Sequence, residues 1–308
     1  MKKLVVLGLL AGAWGCEAAK EEAAAEPVDL RVAIPAASPE FVDLVSGEYV
    51  IQPGEDKMFC EYFRLPAGES FAVNNMEMFQ GKYGHHIVVL KSSTAQPDGA
   101  ALDCSDSNAM KDFEPFILPD TELPEGFGMK VEGGEQLIFQ IHYVNAGLKP
   151  IRVRDVGRLR KIDEALVTTW VSSMNLNQFD ITIPAGEQAL TQSFDCTLEE
   201  DTNILLLGGH MHEGGTVFEV HALAPDQAEP ELLYVVDPWK PDFRDAPPVS
   251  LFFESPKFLP QGTRLTVSCT WKNDTTEPIT FPQEMCAAFG YTFGTTKPIN
   301  CNYGAETP

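Results

Sequence analysis

Alternation of apolar and polar residues over short segments limits this chain to a fold built of strands. Residues 264–271 read RLTVSCTW, and every second residue of that segment is apolar. Because side chains point alternately to the two faces of a strand, the segment predicts a strand that buries one face in a core. Residues 137–144, LIFQIHYV, divide in the same way into an apolar face and a polar face, formed by Phe139, Ile141 and Tyr143 and by Gln140 and His142.

Further short segments of this kind recur along the chain, and prolines and glycines between them predict turns, as at 53–54, 184–186 and 260–262. Many short strands at this spacing are typical of antiparallel sandwiches rather than of β-α-β units. The predicted strands are 85–91, 165–174, 203–207, 216–222, 232–236, 249–253 and 279–281. We therefore predict an all-β fold.

The chain is long for one core and suits two domains of ordinary size. A charged stretch, RDVGRLRKIDE, precedes a predicted strand near residue 160. The sequence thus predicts two antiparallel β-sandwich domains, over residues 30–160 and 161–308.

The N-terminal residues 1–16 combine a basic start, a short apolar run and a small residue before Cys16. This pattern predicts a secretory signal, and the apolar run is shorter than the ~20 residues of a membrane span. Cys16 predicts lipidation of a bacterial lipoprotein, in the periplasm or outer membrane; the alternative is an ordinary cleaved signal, with Cys16 discarded. Residues 17–29 are rich in Ala and Glu and predict a flexible tether.

Charge and cysteine content agree with an extracytoplasmic protein. The formal charge is −23, so nucleic acid, which needs clusters of Lys and Arg, is not expected as a partner. Six cysteines remain after Cys16, an even number that favours disulfides in an exported chain. They are Cys60, Cys104, Cys196, Cys269, Cys286 and Cys301. The sequence alone leaves their pairing open.

Two histidines at i and i+2, His210 and His212, predict a metal site, because both side chains point the same way on a strand. Met211 between them is expected on the opposite face. Glycines on both sides of the motif leave room for a ligand or another backbone. The alternative is a pair of surface histidines on an edge strand.

The adjacent pair His85 and His86 can bind one ion only if the strand begins or bulges there, which Gly84 permits. Taken singly, the pair also fits one core and one exposed histidine. His142 alone more often packs than binds, and Met285 alone is usually core.

Counted together, three of these histidines would make one site, and His210, His212 and Met285 a second. Imidazole suits copper among other metals, and a thioether favours Cu(I), so the count indicates two coppers. His221 lies next to no other candidate ligand and is expected to be exposed and structural.

The order of these residues resembles that of the copper type II, ascorbate-dependent monooxygenases. The resemblance rests on the strings GHHIVVL, FQIHYVN, GGHMHEGG, TVSCTW and QEMCAAF, and covers the chain from about Cys60 to Cys301. It implies two jelly-roll-like copper domains facing each other across a cleft. His85, His86 and His142 would hold an electron-donating copper, and the resemblance places Gln140 beside it.

The resemblance also implies that His210, His212 and Met285 hold the oxygen-binding copper. The implied activity is hydroxylation of an aliphatic C–H of a small molecule with O2, using ascorbate or a similar reductant. The implied disulfides are Cys60 with Cys104, Cys196 with Cys301, and Cys269 with Cys286.

Three positions depart from the peptide-amidating members of that family, in which Arg, Asn and Tyr grip a substrate carboxylate. The matching residues here are Gly208, Ala287 and Phe289. None of these side chains pairs with a carboxylate as Arg does, so a peptidylglycine substrate is disfavoured and a neutral, more apolar one is expected.

Two other functions remain open at the level of sequence. One is a non-catalytic copper-binding or redox lipoprotein that keeps both sites. The other is a zinc hydrolase that uses three histidines and a water, although this leaves Met285 unexplained and no HExxH motif is present.

Overall fold

The computed structural model describes residues 25–68, 70–92, 94–105, 112–119, 121–244, 246–281 and 283–304. The signal peptide predicted over 1–16, with Cys16, and most of the tether lie outside these residues. The strands before residue 160 are β1 (Val28–Asp29), β2 (Phe41–Val45), β3 (Tyr49–Ile51), β4 (Asp56–Arg64), β5 (Phe71–Phe79), β6 (Gly84–Ser92), β7 (Ala101–Asp103), β8 (Phe113–Ile117), β9 (Phe127–Val131), β10 (Gln136–Val144), β11 (Ile151–Val153) and β12 (Val156–Ile162).

The following strands are β13 (Thr169–Gln178), β14 (Thr182–Ile183), β15 (Leu190–Thr197), β16 (Thr202–His210), β17 (Gly215–Leu223), β18 (Glu231–Val236), β19 (Val249–Leu251), β20 (Lys257–Leu259), β21 (Arg264–Trp271), β22 (Ile279–Thr280), β23 (Cys286–Phe293) and β24 (Ile299–Tyr303). The helical elements among the described residues are two 3-10 turns, Glu164–Leu166 and Pro241–Arg244. The fold is an all-β sandwich, as the sequence predicts.

The first sandwich packs a five-stranded sheet, in the order β7-β4-β10-β6-β8, against strands β9, β5, β12 and β2. Strand β10 lies in its centre, paired antiparallel with β4 and with β6. Its predicted apolar face is fully buried, with Phe139, Ile141 and Tyr143 at 0% exposure. The face of Gln140 and His142 is buried as well, because Ile138 on that side packs with the Cys60–Cys104 pair.

The second sandwich packs the sheet β15-β21-β17-β18 against β13, β16 and β23. Strand β21 has the predicted limits and alternates along its length, with Leu265, Val267, Cys269 and Trp271 all at 0% exposure. Each large apolar side chain buried in this way stabilises the fold by roughly 1.5–3 kcal/mol.

One ten-stranded sheet connects the two sandwiches. Its main path is β19-β16-β23-β13-β9-β5-β12-β2, and β13 pairs parallel with β9 through Thr169–Phe127, Trp170–Gly128 and Val171–Met129. The core of the first sandwich also contains Leu205, Leu206 and Tyr291 from the second half. Backbone pairing and apolar packing therefore both cross the predicted boundary at residue 160, and the division into 30–160 and 161–308 stays a prediction.

Turn and strand predictions agree with the structure in most places. Gly54, Gly186 and Gly262, in the three predicted Pro/Gly turns, have φ of 79°, 72° and 85°, a conformation that side chains rarely adopt. The strand predicted over 165–174 is wrong at its start, because Glu164–Leu166 form a 3-10 turn capped by Asp163, and β13 begins at Thr169.

The predicted tether is too long at its C-terminal end. Val28 and Asp29 form β1, which pairs parallel with β11, and the Val28 amide donates to the Pro150 carbonyl at 2.8 Å. The Arg31 guanidinium further holds Asp29 through a 2.8 Å ion pair. In the part of the chain that the structure describes, no helix is long and apolar enough to cross a bilayer.

Three disulfides connect strands and agree with the pairing that the resemblance implies. They are Cys60–Cys104, Cys196–Cys301 and Cys269–Cys286, with Cα–Cα distances of 5.8, 5.9 and 5.9 Å. Such bridges are typical of proteins that fold in an oxidising compartment.

Candidate functional site

Three histidine rings meet where β6 pairs with β10. His86 lies opposite His142, but the next pair is Gly84 with Tyr143, so His85 is an extra residue in β6. This is the bulge that the adjacent histidines require if they are to face one ion. The ring centres of His85 and His86 lie 5.1 and 4.8 Å from that of His142.

Gln80 holds the backbone of this bulge in place. Its side-chain amide donates to the carbonyls of His86 at 3.1 Å and His142 at 3.3 Å, one on each strand. A Cβ at Gly84 would collide with the Gln80 side chain, so glycine is needed beside it. Tyr83, just before the bulge, has φ of 72°.

A buried carboxylate, that of Asp155, holds the Gln80 side chain through a hydrogen bond. It accepts hydrogen bonds from the Gln80 amide at 3.2 Å and from the Tyr143 hydroxyl at 2.5 Å. Burial raises the pKa of Asp155 to about 6, although these hydrogen bonds oppose the shift. The polar network beside the first histidine cluster thus ends at Asp155, directly before β12.

Hydrogen bonds orient two of the three rings. His142 Nε2 lies 2.6 Å from Asp56 Oδ1, and this hydrogen bond lowers the pKa of Asp56. His86 Nε2 lies 3.3 Å from Gln140 Oε1, and the Gln140 amide contacts the sulfur of Cys60 at 3.7 Å. A carboxylate on one ring nitrogen is the usual way to orient a histidine that binds metal through the other.

The second cluster forms where β16 pairs with β23. His210 ends β16 opposite Ala287, and His212 follows the strand rather than lying on it, with ring centres 5.1 Å apart. Met211 is fully buried in the core of the second sandwich, on the side away from the two histidines. Met285 lies directly before β23, next to the disulfide-bonded Cys286.

The segment before Met285 holds the loop of His212. Glu284, with 2% of its surface exposed, accepts hydrogen bonds from the amides of His212 at 3.0 Å and Gly214 at 2.5 Å. Burial raises the pKa of Glu284 to about 7. The Gln283 carbonyl lies 3.0 Å from His212 Nδ1, so a metal bound by this ring would be held through Nε2.

Both clusters line one cleft of about 730 Å³. His85, His86 and Gln140 line it from the first half, and His210, His212 and Met285 from the second. Its other walls are largely apolar and include Phe113, Leu118, Phe179, Val249, Phe281 and Phe289. A cleft of this size and character suits a small molecule.

The wall of the cleft at Gly208 leaves no room for a side chain at that position. Gly208 lies beside Phe289 in the β16–β23 ladder, and a Cβ at Gly208 would lie 2.5 Å from the Phe289 ring and 3.1 Å from Val249. The aromatic ring therefore occupies the space that any side chain at position 208 would need.

The residues present fit copper, although a complete metal site is not formed. Among the described residues, no three His, Cys, Asp or Glu side chains form a group that could hold a metal ion. The ring centres lie 4.8–5.1 Å apart in the pairs His85–His142, His86–His142 and His210–His212, so the imidazoles of each cluster are in contact. Imidazole and thioether are donors that copper accepts. His221, half-buried in β17 rather than exposed, belongs to neither cluster.

Sequence reasoning selected the residues at the cleft and missed those that support them. Glu284 and Glu213 stand next to predicted ligands, so position along the chain was a usable signal for both. Asp56, Gln80 and Arg244 are brought in by strand pairing and loop packing, which no local pattern in the sequence reveals.

The chain is distantly and partially similar to a curated monooxygenase. The chain is 26% identical over 176 residues to peptidyl-glycine alpha-amidating monooxygenase A of Xenopus laevis. The match covers 53% of this chain and 18% of the length of that relative. No family model matches the chain.

Two solved structures align with the chain at low similarity. A protein from Eubacterium rectale aligns over 86% of this chain and 70% of its own, with 9% identity and a TM-score of 0.25. The structure of infectious bursal disease virus Gx strain aligns over 87% of this chain and 73% of its own, with 9% identity and a TM-score of 0.23. Scores this low carry no argument about fold or function.

Proposed function

We propose that this protein is a copper-dependent monooxygenase that hydroxylates an aliphatic C–H bond of a small molecule, using O2 and ascorbate or a similar reductant. The observation that carries the proposal is that His85 and His86, whose rings contact that of the buried His142, line the same largely apolar cleft as His210, His212 and Met285. The partial similarity to an amidating monooxygenase supports the same class of chemistry.

Copper bound at the two clusters would supply electron transfer and oxygen activation. The side chains of the first cluster are imidazoles, with Asp56 and Gln140 orienting two of the rings. The second cluster adds the Met285 thioether, which favours the reduced ion. This difference in donors supports an electron-donating role for the first site and an oxygen-binding role for the second.

The walls of the cleft support a neutral, apolar substrate. Histidines aside, the described lining includes the charged residues Glu213 and Arg244, which pair with each other at 2.8 Å. The Phe289 ring covers Gly208, where an arginine would be needed to grip a carboxylate. The protein's task is then to exclude water and place a C–H bond next to the second site.

We further propose an extracytoplasmic location, with an acyl anchor on Cys16 holding the protein at a bacterial membrane. The three disulfides support the oxidising compartment. Radiolabelled palmitate should enter the full chain and be lost in the Cys16→Ala variant; labelling that survives this change would contradict the anchor.

Metal loading and isotope incorporation test the catalytic proposal. We expect about two coppers per chain and transfer of one 18O atom from labelled O2 into an aliphatic product when ascorbate is supplied. Met285→Leu should abolish incorporation while the first copper stays bound. Met211→Leu is the matched control, because Met211 lies in the core and the swap conserves volume.

Other outcomes favour other functions. Two coppers without incorporation into any candidate would support a non-catalytic copper protein. A chain that retains zinc alone and does not oxidise ascorbate would support a hydrolase, and full activity of Met285→Leu would show that the second site is wrongly assigned.

A further inference from the structure

Three charged side chains, Asp56, Arg244 and Glu213, form a row of ion pairs across the cleft between the two histidine clusters. Arg244, at the end of the 3-10 turn Pro241–Arg244, lines the cleft. One guanidinium nitrogen lies 2.8 Å from Glu213 Oε1 and the other 3.8 Å from Asp56 Oδ2. Asp56 belongs to the first half of the chain and Glu213 to the second, so one side chain contacts carboxylates on both sides.

Each carboxylate of this row lies next to a histidine cluster. Asp56 Oδ1 lies 2.6 Å from His142 Nε2, and Glu213 directly follows His212. The Arg244 side chain is 24% exposed, against 50% for Asp56 and 56% for Glu213. The guanidinium is thus less exposed to solvent than either of the carboxylates that it pairs with.

We infer that Arg244 is a positioning residue that fixes the separation of the two histidine clusters across the cleft. The inference rests on the proposed function, since that separation matters only if both clusters act together. The pairing of β9 with β13 and the shared apolar core already join the halves, and Arg244 adds a contact at the cleft. A contact at the cleft resists the hinge motion that joints elsewhere would still allow.

Charge explains why this position needs an arginine. Without a cation, Asp56 and Glu213 would repel each other across the cleft. An exposed ion pair contributes little to stability, so the expected effect is on geometry rather than on folding. Lysine carries a single point charge in place of a fork, and it would hold the two carboxylates less well.

Distance measurement between spin labels tests this without relying on copper. Nitroxides would be placed at Leu148→Cys in the first half, where the residue is 96% exposed, and Leu232→Cys in β18, where it is 47% exposed. Pulsed electron paramagnetic resonance on the full chain should give a narrow distribution. Arg244→Met should broaden it and shift it by about 2 Å or more, the scale of a domain rearrangement, and Arg244→Lys should fall between the two.

Arg264→Met is the matched control, because it removes an exposed ion pair with Asp195, also 3.8 Å long, on β21 of the four-stranded sheet. It should leave the distribution unchanged, and the thermal midpoint of all three variants should stay close to that of the parent. A distribution unaffected by Arg244→Met overturns the inference.

Copper loading of the same proteins separates this result from the proposed function. A parent chain that binds fewer than two coppers refutes the two-copper function, while the label distances still decide the role of Arg244. If Arg244→Met binds two coppers and shifts the labels, the rate of ascorbate-driven oxygenation should fall without loss of metal.

Discussion

At position 208 the absence of a side chain allows the Phe289 ring to pack on the backbone of β16. A Cβ there would meet the ring at 2.5 Å, well inside normal contact. Gly208→Ala should therefore destabilise the protein by about 1–3 kcal/mol, the usual cost of overpacking. In the Phe289→Ala background the same change should cost less, with a coupling of ~0.5 kcal/mol or more in urea unfolding.

The control for this cycle is Gly68→Ala, since a Cβ at Gly68 would have no atom within 4 Å. It should change stability by less than the Gly208 variant in either background. Additive effects of Gly208→Ala and Phe289→Ala would contradict the packing that excludes a charged side chain from this wall.

Asp155 makes stability depend on pH in a predictable direction. Its pKa is about 6 in the folded protein against an ordinary value of 3.8, so the folded state holds the proton more tightly than the unfolded chain. Ionisation therefore favours unfolding, and this contribution to stability is lost as pH rises from about 4 through 6, by up to ~3 kcal/mol. Asp155→Asn should flatten that part of the profile.

Urea unfolding of metal-free protein between pH 4 and pH 7 measures this difference. Asp226→Asn, at an exposed loop position, should keep the parent profile. Identical pH profiles for the parent and Asp155→Asn would show that this carboxylate is not stabilised in its protonated form.

Sequence patterns singled out several residues that line the cleft, but not the groups that hold them. His210, Met211 and His212 alternate in direction as expected, because neighbouring side chains on an extended segment point to opposite sides. Asp56 reaches His142 only because β4 and β10 pair in a particular register, with Met58 opposite that histidine. Register is a property of the folded sheet, and the local pattern does not contain it.

The β21 and β23 strands are tied by a disulfide next to the predicted methionine ligand. Cys269 and Cys286 are 17 residues apart, and closing a loop of that size contributes about 3 kcal/mol in the chain-entropy account. The double change Cys269→Ala and Cys286→Ala should cost about that much. It should also weaken copper binding at the second site, because Met285 precedes Cys286 directly.

The Cys60–Cys104 bridge provides the matched comparison, with a separation of 44 residues and an expected contribution of about 4 kcal/mol. Its removal should leave the second copper site intact, as measured by titration with Cu(I). Equal loss of the second copper in both double variants would indicate general unfolding rather than local control by Cys286.

The sequence predicts a strand's limits and exposed face well where apolar and polar residues alternate. It predicts them less well for strands that are buried on both faces. β21 has the predicted limits, since one of its faces meets solvent and the pattern is clear. β10 lies between β4 and β6 with nearly all of its residues buried, so its polar face could not be read as exposed. The bulge at His85 followed from chemistry, because adjacent histidines need it to share an ion.

Across the whole molecule, the shared sheet and shared core favour a single unfolding transition. Leu205 and Leu206, from the second half, are fully buried in the core of the first sandwich. Calorimetry of metal-free protein should show one transition with equal calorimetric and van't Hoff enthalpies. Leu206→Ala should lower the midpoint of this single transition. The free energy of unfolding should fall by roughly 2–5 kcal/mol, the usual cost of truncating a buried leucine.

Two resolved transitions, with Leu206→Ala affecting only one, would instead indicate halves that fold independently. The sequence predicted two sandwiches but not the sheet that joins them. Pairing of β9 with β13 brings together segments about forty residues apart, and turn signals and periodicity report only on neighbours.

Strand β13 also determines the order in which the fold can be completed. One of its edges is shared by β9, from earlier in the chain, and by β24, while the other pairs with β23. Strands β23 and β24 lie more than a hundred residues after β13, so until they emerge β13 is paired only through its short contact with β9. Long-range pairing of this kind is slow and leaves exposed edges prone to aggregation, so we expect a holding chaperone to raise the yield of folded protein.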